Sequence, residues 1–200
     1  MKRLLALGLA LAAPVVALAQ SSWILDPTHT HASFTIRHLV ISNVRGEFGK
    51  TAGTVKLDDK DVTRSSVEAS IETGSIDTRV PDRDAHLKSP DFFDAAKYPK
   101  ITFKSTKVER AGDGKLKVTG NLTIRDVTRS VVLDVSGPTG EIKDPSGKTR
   151  RGLSAATKIN RRDFGLNWGK VIEAGPVVGD EVAIEIEAEL LKQEPKQAAK

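Results

Sequence analysis

The 200-residue chain predicts an all-β fold, an antiparallel sheet closing on itself. Three observations carry this reading. Hydrophobic residues recur with period two, clusters of turn-forming residues separate the periodic runs, and a single stretch departs from the pattern.

Taken in order, the chain opens on Met1-Lys2-Arg3, a positive start. Leu4 to Ala19 follows as an uninterrupted apolar or small run ending in the small-x-small triplet Ala17-Leu18-Ala19. This is the pattern of a cleavable secretory leader over residues 1–19, which is shorter than a spanning helix and broken by Pro14. The mature domain is expected over 20–191, with a polar tail over 192–200. Periplasmic location is the expectation, with no stable membrane anchor after cleavage.

From Trp23 onward the alternation dominates. Ala32, Phe34 and Ile36 alternate with Ser33, Thr35 and Arg37, and Val67, Ala69 and Ile71 with Ser66, Glu68, Ser70 and Glu72. Leu116, Val118, Gly120, Leu122 and Ile124 continue the pattern, and Val182, Ile184, Ile186, Ala188 and Leu190 face away from Glu181, Glu185, Glu187 and Glu189. Each run has one dry and one wet face, because successive strand residues point to opposite sides. Gly112-Asp113-Gly114, Gly137-Pro138 and Asp144-Pro145-Ser146-Gly147 supply the turns. Residues 81–98 break the alternation: Pro81-Asp82 opens a short helical connector interrupted by Pro90 and Pro99, which crosses or caps one end of the sheet.

Composition excludes several classes. There is no cysteine, hence no lipid-modified cysteine and no disulfide. Removing the leader lowers the formal net charge from +5 to +3, and aromatic residues make up 4%, so no nucleic-acid partner is expected. Gly147-Lys148-Thr149 lacks the preceding glycine of a phosphate-binding loop, a GxSxG nucleophile elbow is absent, and the sequon at Asn121 lies mid-strand.

The segment Arg83-Asp84-Ala85-His86-Leu87-Lys88-Ser89-Pro90-Asp91-Phe92-Phe93, followed by Tyr98-Pro99 and Phe103-Lys104-Ser105, closely resembles the signature of the YceI-like polyisoprenoid-binding family. Trp23 to Asp26, His31 to His38, Gly46-Glu47-Phe48, Ser75 to Thr78, Gly120 to Ile124 and Arg162 to Gly165 follow in that family's order. The similarity spans roughly 22–191, with Asp126 replacing the usual turn glycine. The resemblance implies a lipocalin-like, up-and-down barrel of about eight strands, a homodimer, and a polyisoprenoid or isoprenoid quinone threaded through the lumen. It implies a periplasmic carrier or reservoir, not an enzyme, with no catalytic residues and no catalytic cofactor.

Inward apolar residues are the expected lining: Phe34, Ile36, Ile71, Phe92, Phe93, Ile101, Phe103, Leu122, Ile124, Phe164, Val182, Ile184 and Ile186. Arg83, Asp84 and His86 read as a polar clamp that holds the connector over the barrel and contacts a ligand head group. His29 and His31, two apart, would share a face on one strand and His38 would lie opposite, but no metal is expected. Two other readings compete: a stress-response or partner-binding module whose barrel is filled by its own side chains, and an enzyme acting on isoprenoid lipids through Arg83, Asp84 and His86.

Overall fold

The computed structural model describes residues 20–173 and 175–194; the expected leader and residues 195–200 of the expected tail lie outside them. The elements are β1 (Ser21–Leu25), β2 (His31–His38), β3 (Ser42–Phe48), β4 (Thr51–Leu57), β5 (Ser66–Glu72) and β6 (Ile76–Asp77). Helix α1 (Pro81–Lys88) follows, then β7 (Lys100–Arg110), β8 (Lys115–Ile124), β9 (Val127–Ser136), β10 (Ile142–Lys143) and β11 (Thr149–Asn160). The hairpin of β12 (Val171–Ile172) and β13 (Gly175–Pro176) precedes the long β14 (Val178–Lys192). β14 therefore runs one residue past the expected domain boundary, and Lys192 is anchored by Glu141 at 2.8 Å.

Several strands are broken without leaving the sheet. β1 and β2 lie end to end along β14, pairing Trp23 with Lys192 and Phe34 with Ile184. β4 and β3 run beside them, and β6 continues β5 past a 3-10 turn at Thr73–Ser75. Counting each broken pair once, eight antiparallel strands follow one another in chain order, and pairing of β11 with β14 from Arg150–Leu191 to Asn160–Glu181 closes the barrel. An eight-stranded barrel has an interior just wide enough for packed side chains or one slender ligand.

The closure is uneven at one end. β7 pairs with β5 but not with β6, and β9 meets β11 only between Ser136–Ser154 and Asp134–Ala156. The connector covers that end. Pro81 starts α1, where its missing N–H is no loss, and Asp82 and Asp84 lie in the first turn where the helix dipole favours anions. The helix stops at Ser89 because the following Pro90 disfavours helical geometry there. Leu87 and Phe93 pack onto a buried cluster of Phe48, Ile76, Ile101, Ile124, Ile159, Phe164 and Leu166. The opposite end holds Trp23, Val55, Leu57 and Leu190, beside Val108, Val118, Val135 and Ala155.

Two inward glycines make room for rings. A Cβ on Gly120 would lie 2.3 Å from Phe103 Cζ and 2.7 Å from the Lys104 carbonyl, and one on Gly46 would lie 2.5 Å from Phe34 Cζ. Each phenylalanine lies flat against the neighbouring strand only because the partner has no side chain.

The β1–β2 break is held by charge. Arg150 donates Nη1–H to Asp26 (2.6 Å) and Glu189 (2.7 Å), and Nε–H to Asp144 (2.7 Å). Asp26, buried at 5% exposure, also accepts from Thr28 and meets His29 Nδ1 at 3.0 Å. The Arg150 guanidinium holds the Asp26 and Asp144 carboxyls well below the usual carboxylate range. The same turn removes the expected pairing of His29 with His31. His29 lies before β2 and His31 begins it, so the two do not share a strand face; His31 is exposed outside, and His38 borders the interior.

Two outcomes are expected. Gly120→Ala should lower stability by about 1 to 3 kcal/mol, read as the urea midpoint, whereas Gly140→Ala, with open space around it, should leave the midpoint unchanged. Because the folded-state pKa values of Asp26 and Asp144 are depressed, their contribution is present above the unfolded value of about 3.9 and is lost as pH falls toward the folded values. Arg150→Met should therefore lower thermal stability at neutral pH and reduce the further loss on acidification below about pH 4. An unchanged acid profile would show that these pairs do not carry the acid sensitivity.

Candidate functional site

The inward rows of the barrel do not fill it. They enclose a cavity of about 420 Å³ that runs from Val62, Ser65 and Pro138 at one end to Arg37, His38, Trp168 and Val177 at the helix end. A barrel filled by its own side chains is thus not what this chain builds. Of the thirteen expected lining residues, Phe34, Ile36, Ile71, Phe92, Phe93, Ile101, Phe103, Leu122, Ile124, Val182, Ile184 and Ile186 border the cavity. Ten of these positions follow from the pleat, since residues two apart on a strand share a face, whereas Phe92 and Phe93 stand in the connector after α1.

Phe164 is the correction. It lies in the 3-10 turn Arg161–Phe164 that follows β11, is 1% exposed, and packs into the core cluster instead of lining the cavity. Period-two counting ends where the strand ends, so the direction of Phe164 was not readable from spacing. Leu166 and Trp168, further along the same segment, reach the cavity in its place. Val118 and Leu116 on β8, Val131, Leu133 and Val135 on β9, and Leu153 on β11 also border it.

Around the helix end ionisable residues border the wall. Arg83 donates Nε–H to Thr78 Oγ1 (2.7 Å) and Nη2–H to the Thr78 carbonyl (2.8 Å). Asp84 Oδ1 accepts from the Thr78 N–H (2.9 Å) and hydroxyl (2.5 Å). Both side chains thus tie α1 to the end of β6 through one threonine. His86 sits apart from them: its Nε2 is 2.9 Å from Asp91 Oδ2, and its ring packs edge-on against Phe92 and Trp168, each with centroids 5.0 Å away. Arg83 and His86 border the cavity, whereas Asp84 does not.

One polar residue at this end had no signal in the sequence. Arg161 is 2% exposed, and its guanidinium donates to the carbonyls of Leu166, Trp168 (2.6 Å) and Gly179 (2.8 Å) and to Asp180 (3.0 Å). Burial pushes its pKa down, opposed by Asp180. These bonds fold the segment after β11 back onto the start of β14 and set Trp168 beside His86. A buried charge is retained only when its donors are satisfied in this way.

Among the described residues, Asp26, His29 and Glu189 bring potential ligand atoms within 4.8 Å of one another. Arg150 is bonded to both carboxylates, so the cluster is neutralised by a guanidinium.

A family model described as the YceI-like domain matches residues 23–190. A UPF0312 protein of Vibrio parahaemolyticus is 36% identical over 189 residues, covering 93% of this chain and 95% of that one. Protein YceI of Salmonella newport is 38% identical over 165 residues, covering 82% and 83%. Among solved structures, the Campylobacter jejuni YCEI protein superposes with a TM-score of 0.67 at 35% identity, covering 80% of this chain and 91% of that one. BcnA of Burkholderia cenocepacia gives 0.71 at 25% identity, covering 82% and 98%. A polyisoprenoid binding domain from Saccharophagus degradans shares the fold, with a TM-score of 0.63 at 14% identity over 87% and 99%. The closed eight-stranded barrel, its single short helix and a domain match spanning nearly all of the described residues agree: the chain belongs to the YceI-like family.

Proposed function

We propose that this protein binds a polyisoprenoid chain or an isoprenoid quinone along the barrel lumen and acts as a periplasmic carrier or reservoir for it. The observation that carries the reading is the continuous apolar cavity of about 420 Å³. Each isoprenoid unit moved from water into such a lumen gains roughly 3 to 4 kcal/mol before ordering losses. No polar anchor is needed along the chain, which suits a wall built from alternate strand residues. The structural neighbour described as a polyisoprenoid binding domain shares the fold that would hold this cargo, and the leader pattern supports the compartment.

The polar groups at the helix end suit a head group. Arg83 and His86 border the cavity there, so a quinone ring would sit between them with its tail directed toward Val108 and Val118. The enzyme reading is weaker: Arg83 and Asp84 are both engaged with Thr78, and His86 is paired with Asp91, so the three do not converge as an acid, a base and a nucleophile would.

Mass spectrometry of an organic extract from protein exported to a periplasm and purified without detergent should yield a stoichiometric isoprenoid or quinone. An empty extract from well-folded protein that also takes up no added isoprenoid would overturn the reading. Leu122→Trp, which fills part of the lumen, should reduce lipid per protein while the barrel stays folded. His86→Ala and Arg83→Ala should lower retention of a quinone; unchanged stability and unchanged bound lipid in both variants would remove them from head-group recognition.

A further inference from the structure

We infer that the rim formed by the β2–β3 turn and the β12–β13 hairpin docks on the surface of a phospholipid bilayer. This rests on the lipid-carrier reading above, and it names where the lumen meets the source of its cargo.

The β2–β3 turn is built against its own backbone. Leu39 and Val40 have φ of +50° and +61°, with the Ile41 N–H bonded to the His38 carbonyl at 3.1 Å. Glycine or asparagine adopts such angles readily, whereas a β-branched residue is locally disfavoured there. Little packing repays the apolar choice, since Val40 and Ile41 are 51% and 76% exposed. The hairpin likewise presents apolar side chains to solvent, with Val171 82% and Ile172 47% exposed. A local rule broken for little packing gain marks a functional surface.

The two elements form one patch. Leu39 N–H donates to the Val177 carbonyl and Val177 N–H to the Lys170 carbonyl, both at 2.9 Å. A Cβ on Gly175 would lie 3.4 Å from Val40 Cγ2. The cavity wall begins immediately beneath, at Arg37, His38, Val177 and Val178. Cations flank the tips: Arg37 donates to the Val40 carbonyl at 2.8 Å, and Lys170 is exposed beside Val171. The carboxylates on the same segments are Glu173 and Asp180, the latter already paired with Arg161 and Arg162. Apolar tips flanked by Arg37 and Lys170, with Glu173 the one carboxylate at the hairpin, suit insertion among phospholipid headgroups. A chain that avoids water is transferred most directly when the end of the carrier where the cavity wall meets this rim faces the bilayer.

The test is flotation of the mature protein with vesicles of phosphatidylcholine and phosphatidylglycerol, alongside fluorescence of Trp168, which lies at this end and is partly exposed, against the fully buried Trp23. Wild type should float with the vesicles and its emission shift to the blue. Val40→Asp with Ile41→Asp, and separately Val171→Asp, should weaken vesicle binding roughly tenfold or more, the expected effect of withdrawing an apolar anchor. Ile142→Asp, at an equally exposed apolar residue on the opposite end, should bind as wild type. Val40→Asp should keep or raise the melting temperature, because aspartate tolerates positive φ better than valine; this separates docking from folding. Each variant is also loaded with a polyprenol from detergent solution. Rim variants that load normally but no longer float establish docking. Rim variants that float like wild type overturn it, as does a wild type that ignores vesicles and whose rim variants convert a dimer to a monomer. Vesicle binding by wild type that accepts no polyprenol would uphold docking and defeat the carrier reading.

Discussion

Pairing of β11 with β14 is the constraint on which the other features depend. With that edge joined, each of the eight composite strands has a neighbour on both sides over at least part of its length, and the apolar row of each has nowhere to face but a shared interior. The same alternation puts Glu185, Glu187 and Glu189 outside while Val182, Ile184 and Ile186 face the lumen. Closure also explains why strands may break without weakening the sheet. β1 and β2 share one edge of β14, so the interruption at Asp26–Thr30 changes the direction of the wall and leaves no free edge.

Space inside such a ring is set by small choices. Gly46 and Gly120 allow Phe34 and Phe103 to lie against the wall instead of across the lumen, so large aromatic surface lines the cavity without closing it. The two ends are treated differently. Aliphatic side chains and Trp23 converge at one, while at the other a connector too polar to bury alone is tied down through Thr78 and packs His86 and Phe92 against Trp168. The lumen is thereby apolar along its length, with Arg83, His86 and Arg161 bordering it at the helix end.

The helix end also collects exposed apolar side chains that the interior does not use. Val40 and Ile41 on the β2–β3 turn and Val171 and Ile172 on the adjoining β12–β13 hairpin are exposed at this end. Their presence on turns, where polar residues form more easily, ties the outer surface to the same lipid chemistry as the inner one.

Much of this was determined by the sequence alone. Period two in Ala32 to Ile36, Val67 to Ile71, Leu116 to Ile124 and Val182 to Leu190 sets which side chains share a face, because strand geometry alternates by residue and needs no partner to do so. Turn residues and Pro90 similarly fix where strands and the helix stop. Tertiary structure decided what alternation cannot reach. Phe164 packs into the core and Trp168 reaches the cavity because a 3-10 turn follows β11, and its path is set by Arg161 bonding to carbonyls of its own segment and of β14. The Arg150 cluster joins residues far apart in the chain, so no spacing announces it. Whether the ring fills itself or stays hollow is likewise a matter of volume, which depends on how the rows of all eight strands meet and is legible in none of them singly.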